Sequence, residues 1–426
     1  MSNPIELGAD PSGTQDSTQI LQDILDREQR LLLPAGTFLI HSLQLRSGMH
    51  LELSEGSALR ALQVHAAYSE FTPFIHIQNA EGVRISGPGQ IRGGGPHWYK
   101  PSGLRIDGPH PRHCILAQNC TNLVIDGPTL SESVIWTCKI EDCRDVQIRN
   151  LCIRNPVWVF AQCTDGIDVV CSENVLIEDC DIETGDDAIC IKSHKGEPEF
   201  ADWRPEDFQP VRNVTVRRCR LACNCSAAKV GTETASAVEG VLFEDLHIVM
   251  HPGAVPDAVP GNPRPSCAAT AALAVYSVDG AHVRDVCFRN CRIERAAAPI
   301  HIQLQRRSNR TQGPIGSIEG IRFEQIRCEY AEIASCIEGD GGIVRDVELR
   351  DCRIITREAP GPIRIPPRPS GRHPSCRLYD HLPAFGLWTR CAEELRLIDC
   401  HFEDQGNSSR PAILHQEPDA EAIDPS

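Results

Sequence analysis

No apolar run in the 426-residue chain approaches the length needed to cross a bilayer, so a membrane-spanning helix is excluded and no membrane partner is expected. Basic residues are also scarce relative to acidic ones. The formal net charge of −16 excludes a general nucleic-acid binder, because phosphate binding needs a dense Lys/Arg surface. It leaves room for an anionic sugar, which a few local cations can hold inside an acidic protein. Met1 leads straight into Ser2-Asn3-Pro4 with no basic and apolar leader, so no secretory signal is expected as written. Long stretches of helical period are missing too, except over Ser17–Asp26, where Asp16-Ser17-Thr18 reads as a cap before apolar spacing.

What is present is a repeat. One short phrase recurs as Asn122-Leu-Val-Ile125, Asp145-Val-Gln-Ile148, Asn174-Val-Leu-Ile177 and Asn213-Val-Thr-Val216. It continues as Gly240-Val-Leu-Phe243, Asp285-Val-Cys-Phe288, Gly320-Ile-Arg-Phe323 and Asp346-Val-Glu-Leu349. The shortest intervals, about 23 to 29 residues, are those of a solenoid. Each unit is a turn-prone residue followed by apolar and polar residues in alternation, which reads as short strands. Such a rung cannot bury its apolar edge alone, but stacked rungs share a core, which favours a parallel β-helix over a sandwich. A leucine-rich repeat would need a Leu spacing that is not there. The expected organisation is one β-helix over residues 1–404, with a cap over about residues 1–40, and a polar tail over 405–426. The Pro-rich stretches Pro252–Pro265 and Pro360–Pro374 break the repeat and read as surface loops.

Many of the 21 cysteines sit in strand-like contexts such as Asp179-Cys180-Asp181-Ile182 and Asn290-Cys291-Arg292-Ile293, where they read as small, reduced core residues. A reducing compartment, the cytoplasm, is therefore expected, unless a leader has been removed. Cys219-x3-Cys223-x-Cys225 lacks a second ligand pair for zinc, and no metal or cofactor is expected. Self-association as a homo-oligomer stays open. Trp98, Trp136 and Trp158 read either as core or as platforms for sugar rings.

The chemistry concentrates in Cys163-Thr-Asp165-Gly-Ile-Asp168 and Glu183-Thr-Gly-Asp186-Asp187-Ala-Ile-Cys-Ile-Lys192-Ser193. Asp165 and Asp186 are separated by about one coil, so adjacent rungs about 4.8 Å apart bring them together. Carboxylates that close cannot all ionise freely, and glycoside hydrolysis asks for such a set: one acid protonates the leaving oxygen while an ionised partner activates water or attacks the sugar. The plain alternative is that these aspartates only end turns.

Thr164-Asp165-Gly166-Ile167-Asp168 and Thr184-Gly185-Asp186-Asp187-Ala188-Ile189-Cys190-Ile191-Lys192-Ser193 resemble the paired phrases of glycoside hydrolase family 28, the polygalacturonases and rhamnogalacturonases. Leu7-Gly-Ala-Asp10, Leu33-Pro-Ala-Gly-Thr-Phe38, Ile85-Ser-Gly-Pro-Gly-Gln90 and Leu382-Pro-Ala-Phe-Gly386 extend the likeness over nearly the whole chain. The resemblance implies an all-β, right-handed parallel β-helix and metal-free hydrolysis with inversion of an α-linked galacturonate or related pectic bond, in an oligosaccharide or polysaccharide. It implies Asp186 as general acid, Asp165 and Asp187 as the pair that deprotonates water, and Asp168 as support. Cys163 stands where the family has Asn, Ser226 where polygalacturonases have the His of Gly-His-Gly, and the Arg-Ile-Lys motif has no counterpart near Leu273–Ser277. Lys229, in a phrase similar to one in bacterial members, is the candidate replacement cation for a sugar carboxylate or hydroxyl, with a solvated surface lysine as the alternative. His194 and Arg112 are further substrate-binding candidates, with an exposed loop as the alternative setting for His194. A polysaccharide lyase and a non-catalytic glycan-binding solenoid are the competing readings.

Overall fold

The computed structural model describes residues 2–64, 72–99, 110–155, 163–195, 204–250, 269–306, 315–357, 365–366, 368, 373–379, 381–406 and 408–416. Pro252–Pro265, Trp158 and much of Pro360–Pro374 lie outside the described residues.

The repeated phrase owes its form to one backbone conformation. Its first residue takes a positive φ every time: 55° at Asn122, 58° at Asp145, 54° at Asn174, 55° at Asn213 and 68° at Gly240. Asp285, Gly320 and Asp346 follow at 55°, 68° and 49°. Only Gly, Asn and Asp visit that left-handed region at little cost, which is why the repeat opens on them. Each then enters a strand whose alternate side chains point inward. Leu123, Val146 and Val175 stand in register on successive strands, as do Ile125, Ile148 and Ile177.

The chain divides into two compact units, one centred on residues 1–189 and one on residues 190–252 and 266–426. Each is a right-handed parallel β-helix whose coil visits three faces in turn, called A, B and C here. In the first unit, one coil runs Thr121–Asp126 on A, Thr129–Ser131 on B and Cys138–Glu141 on C, and the next begins at Arg144–Arg149 on A. All three faces are parallel ladders. A connection between parallel strands is right-handed in nearly every protein, because of the strand's own twist. The helix Thr18–Glu28 covers the first coils with Leu21, Ile24 and Leu25, all buried. Ser17 does occupy the N-cap, but Asp16 serves the cap: its Oδ1 accepts the Thr18 N–H at 2.8 Å.

The second unit repeats the plan. On its A face Phe243, Phe288 and Phe323 stack with ring centroids 4.9 and 5.1 Å apart and ring planes nearly parallel. Register thus forces like side chains to pile up. Burying each such ring contributes about 1.5–3 kcal/mol. Cysteines line the corners as expected: Cys291, Cys328 and Cys352 are buried, and burial pushes the first two thiols up to about 12. The expected tail is in part structure. Ile413–Gln416 pairs with Leu387–Arg390 as a further C-face strand, a change that two apolar residues in a polar segment had not signalled. No described helix is long and apolar enough to cross a membrane.

Candidate active site

In the first unit the C-face strands Cys138–Glu141 and Ile167–Val170 pair in register, Lys139 with Asp168. Asp165 lies just ahead of the second of these strands, and its carbonyl accepts the Thr137 N–H at 2.8 Å. The following coil comes close because position 166 has no side chain. The Gly166 N–H donates to the Asp187 carbonyl at 2.9 Å, and a Cβ there would meet the Ala188 carbonyl oxygen at 2.4 Å. The Thr184 hydroxyl closes the acidic turn by contacting the Asp186 and Asp187 carbonyls at 3.0 and 3.2 Å.

These links gather the aspartates. Carboxylate oxygens of Asp165 and Asp187 lie within 4.8 Å of each other, and the same limit holds for Asp186 and Asp187. Asp165 and Asp187 are nearly buried, while Asp186 is partly exposed. Backbone donors orient Asp186: the Cys163 N–H reaches Oδ2 at 2.6 Å and the Asp187 N–H reaches Oδ1 at 3.0 Å. Cys163, with φ 66°, occupies the left-handed region its family counterpart Asn adopts easily. The departure therefore leaves a main-chain hydrogen bond to Asp186 in place. One water can bridge two carboxylates so spaced, since each O–H···O contact spans about 2.8 Å.

Asp168 is wholly buried beside Lys139, and the Lys139 ammonium pairs with Glu141 at 2.6 Å and lies 5.2 Å from the Trp136 ring centre. Sequence reading missed Lys139 and Glu141. The available signal was Cys138-Lys-Ile-Glu141, a strand with two opposite charges at alternate positions on one face, the face Asp168 shares. Trp136 is half-buried beside His113, whereas Trp98 is fully buried against Val134 as a core residue. Arg112 is half-buried before the strand Ile115–Gln118, two C-face strands ahead of Ile167–Val170.

The other two candidates belong to the second unit. His194 is not on an exposed loop: it is buried, with its ring 4.6 Å from that of Phe208. Lys229 is buried on the C face, its ammonium 5.9 Å from the centre of the Tyr276 ring. Tyr276 occupies the stretch where the Arg-Ile-Lys motif is missing, and its hydroxyl meets His301 Nδ1 at 2.9 Å. Neither Tyr276 nor His301 stood out in the sequence, because the two are joined only by register across strands. Burial holds the His301 ring neutral, with its pKa lowered to about 3.

The model of glycosyl hydrolases family 28 matches residues 26–251. A probable polygalacturonase of Arabidopsis thaliana is 38% identical over 173 residues, 37% of this chain and 36% of that protein. A probable polygalacturonase of Vitis vinifera is 27% identical over 270 residues, 57% of this chain and 53% of that one. The chain thus matches only about a third to a half of the length of these relatives. Among solved structures, an exopolygalacturonase from Thermotoga maritima superposes with a TM-score of 0.66 at 18% identity, covering 93% of this chain and 91% of that one. A family 28 exopolygalacturonase from Yersinia enterocolitica gives 0.64 at 15% identity, covering 97% and 77%. These two likenesses carry the fold.

Proposed function

Since the chain belongs to glycosyl hydrolases family 28, whose model covers more than half of it, we propose that it hydrolyses an α-linked galacturonate or related pectic bond with inversion. The observation that carries the reading is the approach of the Asp165 and Asp187 carboxylates to within 4.8 Å, with Asp186 held beside them by backbone donors. Asp186 gives its proton to the glycosidic oxygen as the bond to the anomeric carbon breaks. Water held by Asp165 and Asp187 loses a proton to that pair and adds its oxygen to the opposite face of the same carbon. Asp168, Lys139 and Glu141 are positioning residues, a buried charge set that fixes the strand behind Asp165. Lys229 is the proposed cation for the sugar carboxylate, and Arg112 a second contact. The buried thiols fit a protein that works in a reducing compartment.

The test is release of reducing ends from a panel of pectic oligosaccharides by the wild type and by Asp186→Asn. Loss of a general acid is expected to slow turnover about 10²–10⁴-fold, with thermal unfolding unchanged. Equal rates for the two proteins defeat the proposal. Proton NMR of the first-formed anomer checks inversion, and a retained configuration removes that part.

A further inference from the structure

At the C-terminal end of the second unit two cysteines occupy the same corner of successive coils. The A-face strands Val344–Arg350 and Ala392–Ile398 pair with Arg350 opposite Ile398, and the B-face strands Arg353–Thr356 and His401–Asp404 pair with Arg353 opposite His401. The corners between them therefore match residue for residue, Asp351-Cys352 against Asp399-Cys400. Asp351 and Asp399 both turn the chain at positive φ, 50° and 53°. The thiols share a pose as well. Cys352 Sγ lies 3.4 Å from the Phe323 carbonyl oxygen, and Cys400 Sγ lies 3.3 Å from that of Leu349, the partner of Phe323 one coil on. One strand spacing, about 4.8 Å, falls within the roughly 4.4–6.8 Å that a disulfide asks of its two Cα atoms.

The two differ in access. Cys352 is 1% exposed, whereas Cys400 is partly open to solvent. Among the described residues no strand pairs with the outer edge of Ala392–Ile398, so Cys400 belongs to the terminal rung. A hydrogen bond with the Cys352 thiol brings the Cys400 thiol down to about 7, which supplies thiolate near neutral pH. Other cysteines lack one of these features. Cys120 and Cys143 stack in the same way, with the Cys120 N–H donating to Cys143 Sγ at 3.4 Å, but both are buried between further coils. Cys152 and Cys287 are partly exposed, yet the ladder neighbours of the first are Thr129 and Asp181 and those of the second are Leu242 and Arg322.

We propose that Cys352 and Cys400 are a modification site, a thiol pair that a peroxide converts to a disulfide fastening the terminal coil to the one before it. The Cys400 thiolate attacks one peroxide oxygen and the O–O bond breaks. Its sulfur becomes a sulfenic acid, and the departing hydroxide recovers the thiol's proton as water. The Cys352 sulfur then attacks the Cys400 sulfur, the S–O bond breaks, and the hydroxyl leaves with the Cys352 proton as a second water. Two thiols are oxidised and one peroxide is reduced to two waters. In a reducing compartment a small thiol reverses the bond by exchange. An end rung has a neighbour on one side only, so it opens most easily and gains most from such a link.

The test treats the folded full-length protein with hydrogen peroxide, blocks the remaining thiols by alkylation and maps the peptides by mass. The expected result is a peptide pair joined through Cys352 and Cys400, lighter by two hydrogens and released by dithiothreitol, with Cys120 and Cys143 alkylated only after unfolding. The oxidised protein is expected to melt at a higher temperature than the reduced one. In Cys352→Ala the same treatment is expected to leave Cys400 as a sulfenic acid that dimedone labels. A wild-type protein in which Cys352 stays a free thiol, whatever the state of Cys400, overturns the proposal. So does a link between Cys120 and Cys143 that forms first, or a melting temperature that oxidation leaves unchanged.

Discussion

The C faces of the two units are built on the same alternation and put it to opposite uses. In the first unit the outward positions carry charge, with Lys139, Glu141 and Asp168 side by side and Asp165 at the strand's edge. In the second they carry a tyrosine, a histidine, a tryptophan and one ion pair, and the side chains of Cys376, Tyr379, Leu382 and Ala384 close over them. A parallel ladder fixes which residues stand next to each other and leaves open whether solvent, substrate or another part of the chain covers them. The same scaffold thus holds a buried charge set in one place and an exterior extension of the core in another.

The contrast breaks most visibly at Glu338. Burial raises its pKa while Arg390 and the Tyr379 hydroxyl oppose the shift, so the group depends on its partners. Glu338→Ala leaves Arg390 buried without its carboxylate, and a loss of about 3–5 kcal/mol is expected in denaturant unfolding. Asp168→Asn, if the first-unit charge set serves positioning, is expected to cost less stability than that and to lower turnover instead.

His301 sharpens the comparison through pH. Its folded pKa, about 3, is below the ordinary 6.5, so the unfolded chain binds more protons between those values. Stability is therefore complete above about pH 6.5 and falls as the solution is acidified toward pH 3, by about 1.4 kcal/mol per unit from this group. His301→Gln is expected to flatten that part of the stability curve, measured by thermal melts across the range. An unchanged acid slope would show that the second-unit face is not closed to protons.

The smallest effect concerns the repeat common to both units. Asn174, at φ 54°, also donates from its amide to Asp145 Oδ1 at 2.9 Å. Asn174→Ala is expected to cost about 1–2 kcal/mol, because a Cβ without a compensating polar group is strained in the left-handed region. Asn174→Gly relieves the backbone part, and equal melting temperatures for the two variants would discount it.

Much of this was legible in the sequence, for identifiable reasons. The left-handed opening residue and the strand alternation are local demands, so the repeat at Asn122, Asp145 and Asn174 announced the solenoid directly. The aspartates were legible because all three fall within two neighbouring phrases one coil apart. His194 was harder to place, since its burial against Phe208 depends on a residue fourteen positions away with no periodic relation to it. The strand Ile413–Gln416 was hidden for a similar reason: its edge is completed by Leu387–Arg390, not by its own composition.

By itself the sequence determined the stacked coil of short parallel strands and the approach of the two aspartate phrases one coil apart, because period and backbone conformation are written into short segments. Only the tertiary structure decided that Tyr276 meets His301, that Lys139 stands behind Asp168 and that residues near Tyr379 close one face. Those pairings join positions about 25 to 80 residues apart through register and through a segment folding back, and no local rule encodes either.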